Sequence, residues 1–182
     1  MTSKHAKALV QSITELFGDS SYADATIVCG ERRRKVHQAV VCTRCETLKK
    51  AFDGHFQEGE ESTITLQEDH PNAVAAMLRY LYSGDYDDRA HHDSEDDDWK
   101  ALPMNAHVQD IGDKYGLPGL TALALRKFNK LIDAEDFDAP GFLPAIPAIF
   151  SNDEDHQAPY REYLMECVIE NGKVLLARKD FQ

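Results

Sequence analysis

Long apolar runs are missing from this chain. No stretch approaches the ~18 consecutive apolar residues of a membrane span, and the opening MTSKHAKALVQSITELF has neither the apolar core nor the small-residue cleavage site of a secretory signal. The expected setting is therefore intracellular, cytoplasmic and/or nuclear. Basic residues are scarce too: 20 Lys and Arg stand against 32 Asp and Glu, a net charge of −12 over 182 residues. Such a balance repels phosphate backbones and anionic lipid, so neither nucleic acid nor a membrane is an expected partner. Cysteine is limited to Cys29, Cys42, Cys45 and Cys167. These are too few and too unevenly spaced for a disulfide framework in a chain of this length, and reduced thiols are expected. No internal repeat is visible. At roughly 150 residues per domain, the length corresponds to one domain with a modest appendage.

Helical and extended patterns alternate along the chain. Leu9, Ile13, Leu16 and Phe17 fall on one face of a helix over residues 5–17, stopped by Gly18. YADATIVC (22–29) alternates as a strand with Ala25, Ile27 and Cys29 on one side, and Gly30 marks the turn into a second short strand, Arg33 to His37. The apolar AVVC follows, then Thr43 and Glu46, spaced as a capping box for a helix that should bury Leu48, Ala51 and Phe52. STITL (62–66) alternates as a third strand. Asp69 or His70 can cap a helix that opens on Pro71, presents Val74, Met77, Leu78 and Leu81, and ends at Gly84.

Residues 85–98 hold eight acids and one arginine. Such a block repels itself, and an acidic mobile loop over residues 85–105 is expected. Helix resumes with HVQDIGDKYG, Val108 and Ile111 inward, and continues from Pro118 with Leu120, Leu123, Ala124, Phe128 and Leu131 on one face. After a hinge at DFDAPG, Phe142, Ile146, Ile149 and Phe150, and then Tyr160, Leu164, Cys167 and Val168, are at helical spacing, with Pro144 and Pro147 in or before the first turn. The predicted class is α+β, with three short strands and a majority of helix.

In this order, YADATIVCG, KVHQAVVC, HFQEGEESTITLQEDHPNAVAAMLRYLYSGDY and HVQDIGDKYGLPGLTALAL resemble the BTB/POZ domain, and are most similar to the short BTB proteins common in fungi. The resemblance runs from about Tyr22 to Ile132. Its most specific parts are Asp24 in the first strand, Val36-His37 before Val40, Leu81-Tyr82 before Gly84, and Asp113-Lys114-Tyr115 before Leu117. The resemblance implies a small three-stranded sheet flanked by helices, with extra C-terminal helices, in a homodimer that recruits other proteins and carries out no chemistry. It divides the chain into an N-terminal dimerisation helix (1–21), the BTB domain (22–134) and a C-terminal helical extension (135–182). Leu9, Ile13, Leu16, Phe17 and Asp24 are then the expected dimer-interface residues. The alternative for the helix of residues 5–17 is that it folds back on its own core.

Members that serve as substrate adaptors for cullin-3 ubiquitin ligases carry an apolar residue, any residue and Glu in the loop before the third strand. Here that triplet is Phe56-Gln57-Glu58, which implies binding to the N-terminal region of cullin-3 and delivery of an unidentified substrate protein for ubiquitination. The alternative is that Phe56 packs on the third helix and Glu58 is solvated. The C-terminal helices either extend that contact or cap the core. Repressor-type BTB domains pair the first-strand Asp with a basic residue directly after the second-strand His. Gln38 stands there instead, which weakens repressor-style corepressor docking; the alternative function is a dimerisation scaffold of a transcriptional or chromatin regulator that does not bind cullin.

No catalytic or cofactor-binding constellation emerges, and the chain is not expected to be an enzyme. Cys42-Thr43-Arg44-Cys45 has the spacing of a redox pair or half a zinc site. With no second pair and no thioredoxin pattern, core packing is the preferred reading, and a thiol redox protein is the enzyme-class alternative. His91-His92 could ligate a metal only weakly, and no metal site is expected. Arg32-Arg33-Arg34-Lys35 on a strand edge reads as a solvated or edge-protecting run with some attraction for an acidic partner. His37 is assigned to packing and hydrogen bonding where strand meets helix.

Overall fold

In a computed structural model, the described residues are 4–54, 62–88 and 101–132, together with residues 146, 150, 161–162, 165–166 and 169. The elements are α1 (Lys4–Leu16), β1 (Ala25–Cys29), β2 (Arg32–Val36), α2 (Gln38–Arg44), α3 (Glu46–Asp53), β3 (Ser62–Thr65), α4 (Pro71–Ser83), α5 (Ala101–Lys114) and α6 (Pro118–Ile132). The class is α+β, as the sequence pattern predicts. None of the described helices is long and apolar enough to cross a membrane. The chain divides into two compact units, Met1–Tyr86 with Lys114–Leu120, and Asp87–Asp113 with Thr121–Gln182.

The first unit is built on a three-stranded sheet of order β2-β1-β3. Gly30, at φ 57, closes the antiparallel β1-β2 hairpin, in which Ile27 pairs with Arg34 and Cys29 with Arg32. β3 lies parallel to β1, with Ala25 opposite Ser62 and Ile27 opposite Ile64. A parallel partner cannot be reached by a tight turn, so α2 and α3 lie within the crossover. Ala25, Ile27, Cys29 and Ile64 are buried with Val74, Met77, Leu78 and Leu81 of α4, the residues whose helical spacing marks them in the sequence. Burial of each of the larger side chains among them contributes roughly 1.5–3 kcal/mol.

One helix start departs from the expected capping, and a second keeps one of its two expected caps. α3 is capped by Cys45, whose sulfur accepts from the Leu48 N–H at 3.5 Å. Thr43 instead turns back into α2, donating to the carbonyls of Ala39 and Val40 at 2.7 and 3.0 Å, because α2 extends through Arg44. At α4, Pro71 opens the helix and His70 caps it, Nδ1 accepting from the Asn72 N–H at 3.2 Å. Gly84 ends α4 at φ 76, its N–H donating to the Tyr80 carbonyl. Ala51 is only half-buried, whereas Leu48 and Phe52 are buried. β1 begins at Ala25, since residues 20–23 form a turn closed by the Ala23 N–H on the Ser20 carbonyl, with Tyr22 at φ 62.

Asp69 thereby becomes available as a latch. Its carboxylate accepts from the Tyr115 hydroxyl at 2.6 Å and from Lys114 Nζ at 2.8 Å, while its backbone carbonyl accepts from the Cys29 thiol at 3.1 Å. The segment before α4 is thus tied both to the residues that close α5 and to β1.

In the second unit, α5 begins well before the expected position, with Leu102, Met104 and Asn105 buried and Pro103 in its first turn, where a missing N–H is tolerated. Residues 101–105 are therefore helix and not acidic loop. Asp88 is also held, accepting from the Asn105 amide at 3.2 Å and pairing with Lys127 at 3.9 Å. In α6, Leu123, Ala124 and Phe128 are buried as their spacing predicts, and Leu131 is half-buried. Residues 146, 150, 161–162, 165–166 and 169 are helical, with Phe150, Met165 and Ile169 exposed. Phe142, Ile149, Tyr160, Leu164, Cys167 and Val168 lie outside the described residues.

Burial first, and then the Asp69 carboxylate, push the Tyr115 hydroxyl well above the ordinary tyrosine range. The folded chain therefore holds that proton to higher pH than the unfolded one, so stability is undiminished below the ordinary tyrosine value of ~10 and declines as pH rises through it. Tyr115→Phe is expected to lower the unfolding free energy at neutral pH by about 1–3 kcal/mol and to flatten that alkaline decline. Urea denaturation of both proteins at neutral and alkaline pH checks each part.

Candidate functional site

The first unit presents a helix that is only partly used by its own chain. α1 has no buried residue. Leu9 and Val10 are 62% and 51% exposed, although its sequence is amphipathic. Its contacts are with α4, through the Thr14 hydroxyl near the Tyr82 carbonyl at 3.5 Å and through Phe17 just beyond the helix end. Val10 and Ile13 face Ala39 and Val40 of α2 across a shallow apolar cleft bordered by Tyr82 and Gly84. Tyr22 stands nearly free of the chain at 94% exposure.

Tyr82 holds the neighbouring corner. Its hydroxyl accepts from the His37 backbone N–H at 2.9 Å and lies 3.0 Å from His37 Nδ1, while His37 Nε2 is 2.8 Å from the Ser21 carbonyl. A carbonyl only accepts, so in the neutral ring Nε2 carries the proton and Nδ1 accepts from the tyrosine. Burial pushes the Tyr82 hydroxyl upward, in keeping with a neutral donor. His37 is consumed in this joint, as the sequence reading expects. The Phe17 and Tyr82 rings pack in an edge-type arrangement with centroids 5.4 Å apart, and the Phe17 centroid lies 4.3 Å from the guanidinium of Arg34 and 5.1 Å from that of Arg79.

Asp24, exposed at the start of β1, acts as an external cap on α2. Its carboxylate accepts from the N–H of Gln38, the first helical residue, at 2.8 Å, and the Gln38 amide returns a bond to the Asp24 carbonyl at 3.3 Å. His37, at the capping position, makes no side-chain cap bond, and a carboxylate at a helix start is favoured by the helix dipole. Gln38 thus completes a local hydrogen-bonded pair where repressor-type members carry a cation.

The predicted site residues therefore separate in space. Leu9 points outward, Ile13 and Leu16 are half-buried, Phe17 packs on its own chain, and Asp24 supports α2. Val10 is not singled out by the sequence reading, and Val40 enters it only through the family motif Val36-His37 before Val40. Val10 precedes Ile13 and Phe17 by three and seven residues, a helical spacing that marks the same face. Phe56 and Glu58 lie outside the described residues, as do His91 and His92. Among the described residues no group of three or more His, Cys, Asp or Glu could hold a metal ion.

Cys42 and Cys45 do not form an activated pair. Cys45 is buried, caps α3, and its sulfur lies 3.6 Å from the Tyr115 carbonyl. Burial raises both thiols above the ordinary value, outweighing the Leu48 and Thr47 N–H bonds that act on Cys45 in the opposite sense. Reactivity needs the thiolate, which burial here disfavours.

A family model described as the BTB/POZ domain matches residues 13–124. Over 81 residues, 44% of this chain, the sequence is 30% identical to BTB/POZ domain-containing protein 9 of Rattus norvegicus, and the match spans 13% of that protein. Over 120 residues it is 22% identical to TD and POZ domain-containing protein 3 of Mus musculus, covering 63% of this chain and 29% of that protein. Among solved structures, the BTB (Tramtrack and Bric a brac) domain of human gigaxonin superposes with a TM-score of 0.51 at 16% identity, covering 69% of this chain and 92% of that one.

The thiol geometry is directly measurable. In the native protein at neutral pH, Cys45 is expected to resist iodoacetamide and to be alkylated at least ~10-fold faster once the chain is unfolded in urea. Peptide mapping by mass spectrometry after timed labelling reads both rates, and equal rates would restore the redox interpretation.

Proposed function

The chain belongs to the BTB/POZ domain family, a fold of protein–protein interaction, and from that premise we propose that it works as a homodimerising adaptor that brings partner proteins to a cullin-3 ubiquitin ligase. The observation that carries dimerisation is the state of α1: an amphipathic helix with no buried residue, whose Leu9 and Val10 stand in water beside an apolar cleft. Covering this surface with the same surface of a second copy would bury both ridges, as a two-fold interface requires.

The ligase part of the reading rests on sequence. Phe56-Gln57-Glu58 fits the pattern of an apolar residue, any residue and Glu that the family's cullin-binding members carry, here with an aromatic in the apolar place. An aromatic anchor supplies buried area and an adjacent carboxylate fixes register. The proposed compartment is the cytoplasm, the nucleus or both, and the delivered substrate is a protein. Support from Asp24 is indirect, since its side chain is committed to α2.

Two measurements test the reading. Leu9→Asp with Val10→Asp is expected to turn a dimer into a monomer in sedimentation equilibrium while the circular dichroism spectrum is retained; a variant that stays dimeric removes α1 from the interface. In calorimetric titrations with the N-terminal region of cullin-3, Phe56→Ala with Glu58→Lys is expected to cost ~2 kcal/mol or more of binding free energy. Unchanged affinity in that variant overturns the site, and failure of the folded parent chain to bind overturns the ligase reading and leaves the regulatory scaffold.

A further inference from the structure

A second surface is built on β2. This strand pairs with β1 only, so its other side is a free edge of the sheet among the described residues. Four successive exposed cations, Arg32 to Lys35, run along it. In a chain of net charge −12 this is an unusual concentration, and no described carboxylate lies within ion-pair range of its arginines. Arg32 donates to the Asn72 side chain, and Arg34 lies on the Phe17 ring and reaches the Phe17 carbonyl at 3.4 Å. Arg33 makes no hydrogen bond or ion pair among the described residues. Among the described residues, therefore, these three guanidinium charges have no neutralising carboxylate.

Edge protection alone would need only the charges. The structure adds a trough between β2 and α4, floored by Ile27, Val74, Ala75 and Leu78 and bordered by Arg32, Arg33 and Arg34. The register explains it. Ile27 pairs with Arg34 and Cys29 with Arg32, so these two arginines stand on the face of the sheet that meets α4, and Arg33, opposite Val28, stands on the other face. The edge thus offers backbone groups in a row, an apolar floor on one side and an uncompensated cation on the other.

We infer that this edge binds an extended acidic peptide of a partner protein, in which carboxylates alternate with apolar residues. Added as a fourth strand, such a peptide would send every second side chain over the trough and the intervening carboxylates toward Arg33. The alternation is required by the period of two of a strand, and the acidity by the guanidinium of Arg33 on the face opposite the trough. A nucleic acid offers neither the strand hydrogen bonds nor the apolar side chains, and it meets the repulsion of the acidic chain as a whole. This surface is separate from α1 and from Phe56 and Glu58, so its test is independent of dimerisation and of cullin.

The probe is a short fluorescein-labelled peptide of alternating glutamate and valine, titrated against the full chain by fluorescence anisotropy. Saturable binding that weakens with salt is expected, with amide shifts in nuclear magnetic resonance spectra centred on residues 32–36 and 71–78. Arg33→Glu, which removes no internal bond, is expected to weaken binding by at least ~10-fold. Lys50→Glu, the same charge change on the exposed side of α3, should alter it by no more than ~2-fold. A peptide of the same composition with its glutamates in one block should bind at least ~10-fold more weakly than the alternating one. Absence of binding, full affinity in Arg33→Glu, indifference to residue order, or equal binding of a single-stranded oligonucleotide of the same charge would each overturn the inference, leaving the cations as an edge guard or a general anion surface.

Discussion

The corner where β2 passes into α2 depends on one phenolic oxygen. Tyr82 projects from the last turn of α4, accepts the buried backbone N–H of His37, engages the His37 ring, and through that ring reaches the Ser21 carbonyl. Its ring packs against Phe17 and so holds the end of α1. Three segments distant in sequence are therefore brought to one point by side-chain chemistry and not by backbone pairing. A buried N–H left without a partner costs about 1–3 kcal/mol, so the hydroxyl matters more here than the apolar area of the ring alone would indicate.

The cations around this corner follow a common rule. Arg44 donates to the Leu81 carbonyl at 2.7 Å, Arg32 to an amide oxygen, and Arg34 and Arg79 lie over an aromatic face. All four find neutral acceptors or a ring quadrupole. Among the described residues the positive charge is thus fixed in place without a carboxylate partner. Lys114 does the opposite at the other end of the unit, where its ammonium is matched to the Asp69 carboxylate.

Much of the fold was legible because it follows from periodicity and turn chemistry. The alternation of Ala25, Ile27 and Cys29, the helical spacing of Val74, Met77, Leu78 and Leu81, Pro71 at a helix start and Gly84 at its end all state local preferences that the tertiary structure keeps. What could not be read depended on competition between adjacent helix ends or on partners remote in sequence. Thr43 and Glu46 have the spacing of a capping box, but α2 claims Thr43, and the buried Cys45 takes the cap. Asp69 looks like a cap and instead meets Tyr115 and Lys114. The acidity of residues 85–98 masked the helix that opens at Ala101, whose Leu102 and Met104 are visible as core residues only once α5 is seen to begin there. At the candidate surface, the apolar face of α1 was evident, but the division of labour between outward Leu9 and Val10 and inward Phe17 required the rings and guanidinium groups packed around Phe17.

The parallel pairing of β1 with β3 also imposes an order of events on a growing chain. The β1-β2 hairpin is local and can close early, whereas Ala25 must wait for Ser62, and two helices intervene. Non-local pairings of this kind form late because loop closure precedes their reward. During synthesis the hairpin would therefore pass through a period with both of its edges open. On one side stand four cations, whose mutual repulsion discourages two nascent hairpins from joining through β2. The other side carries Thr26 and Val28 in an apolar strand without such a guard, which makes the interval before β3 emerges from the ribosome the period of greatest exposure to misassembly.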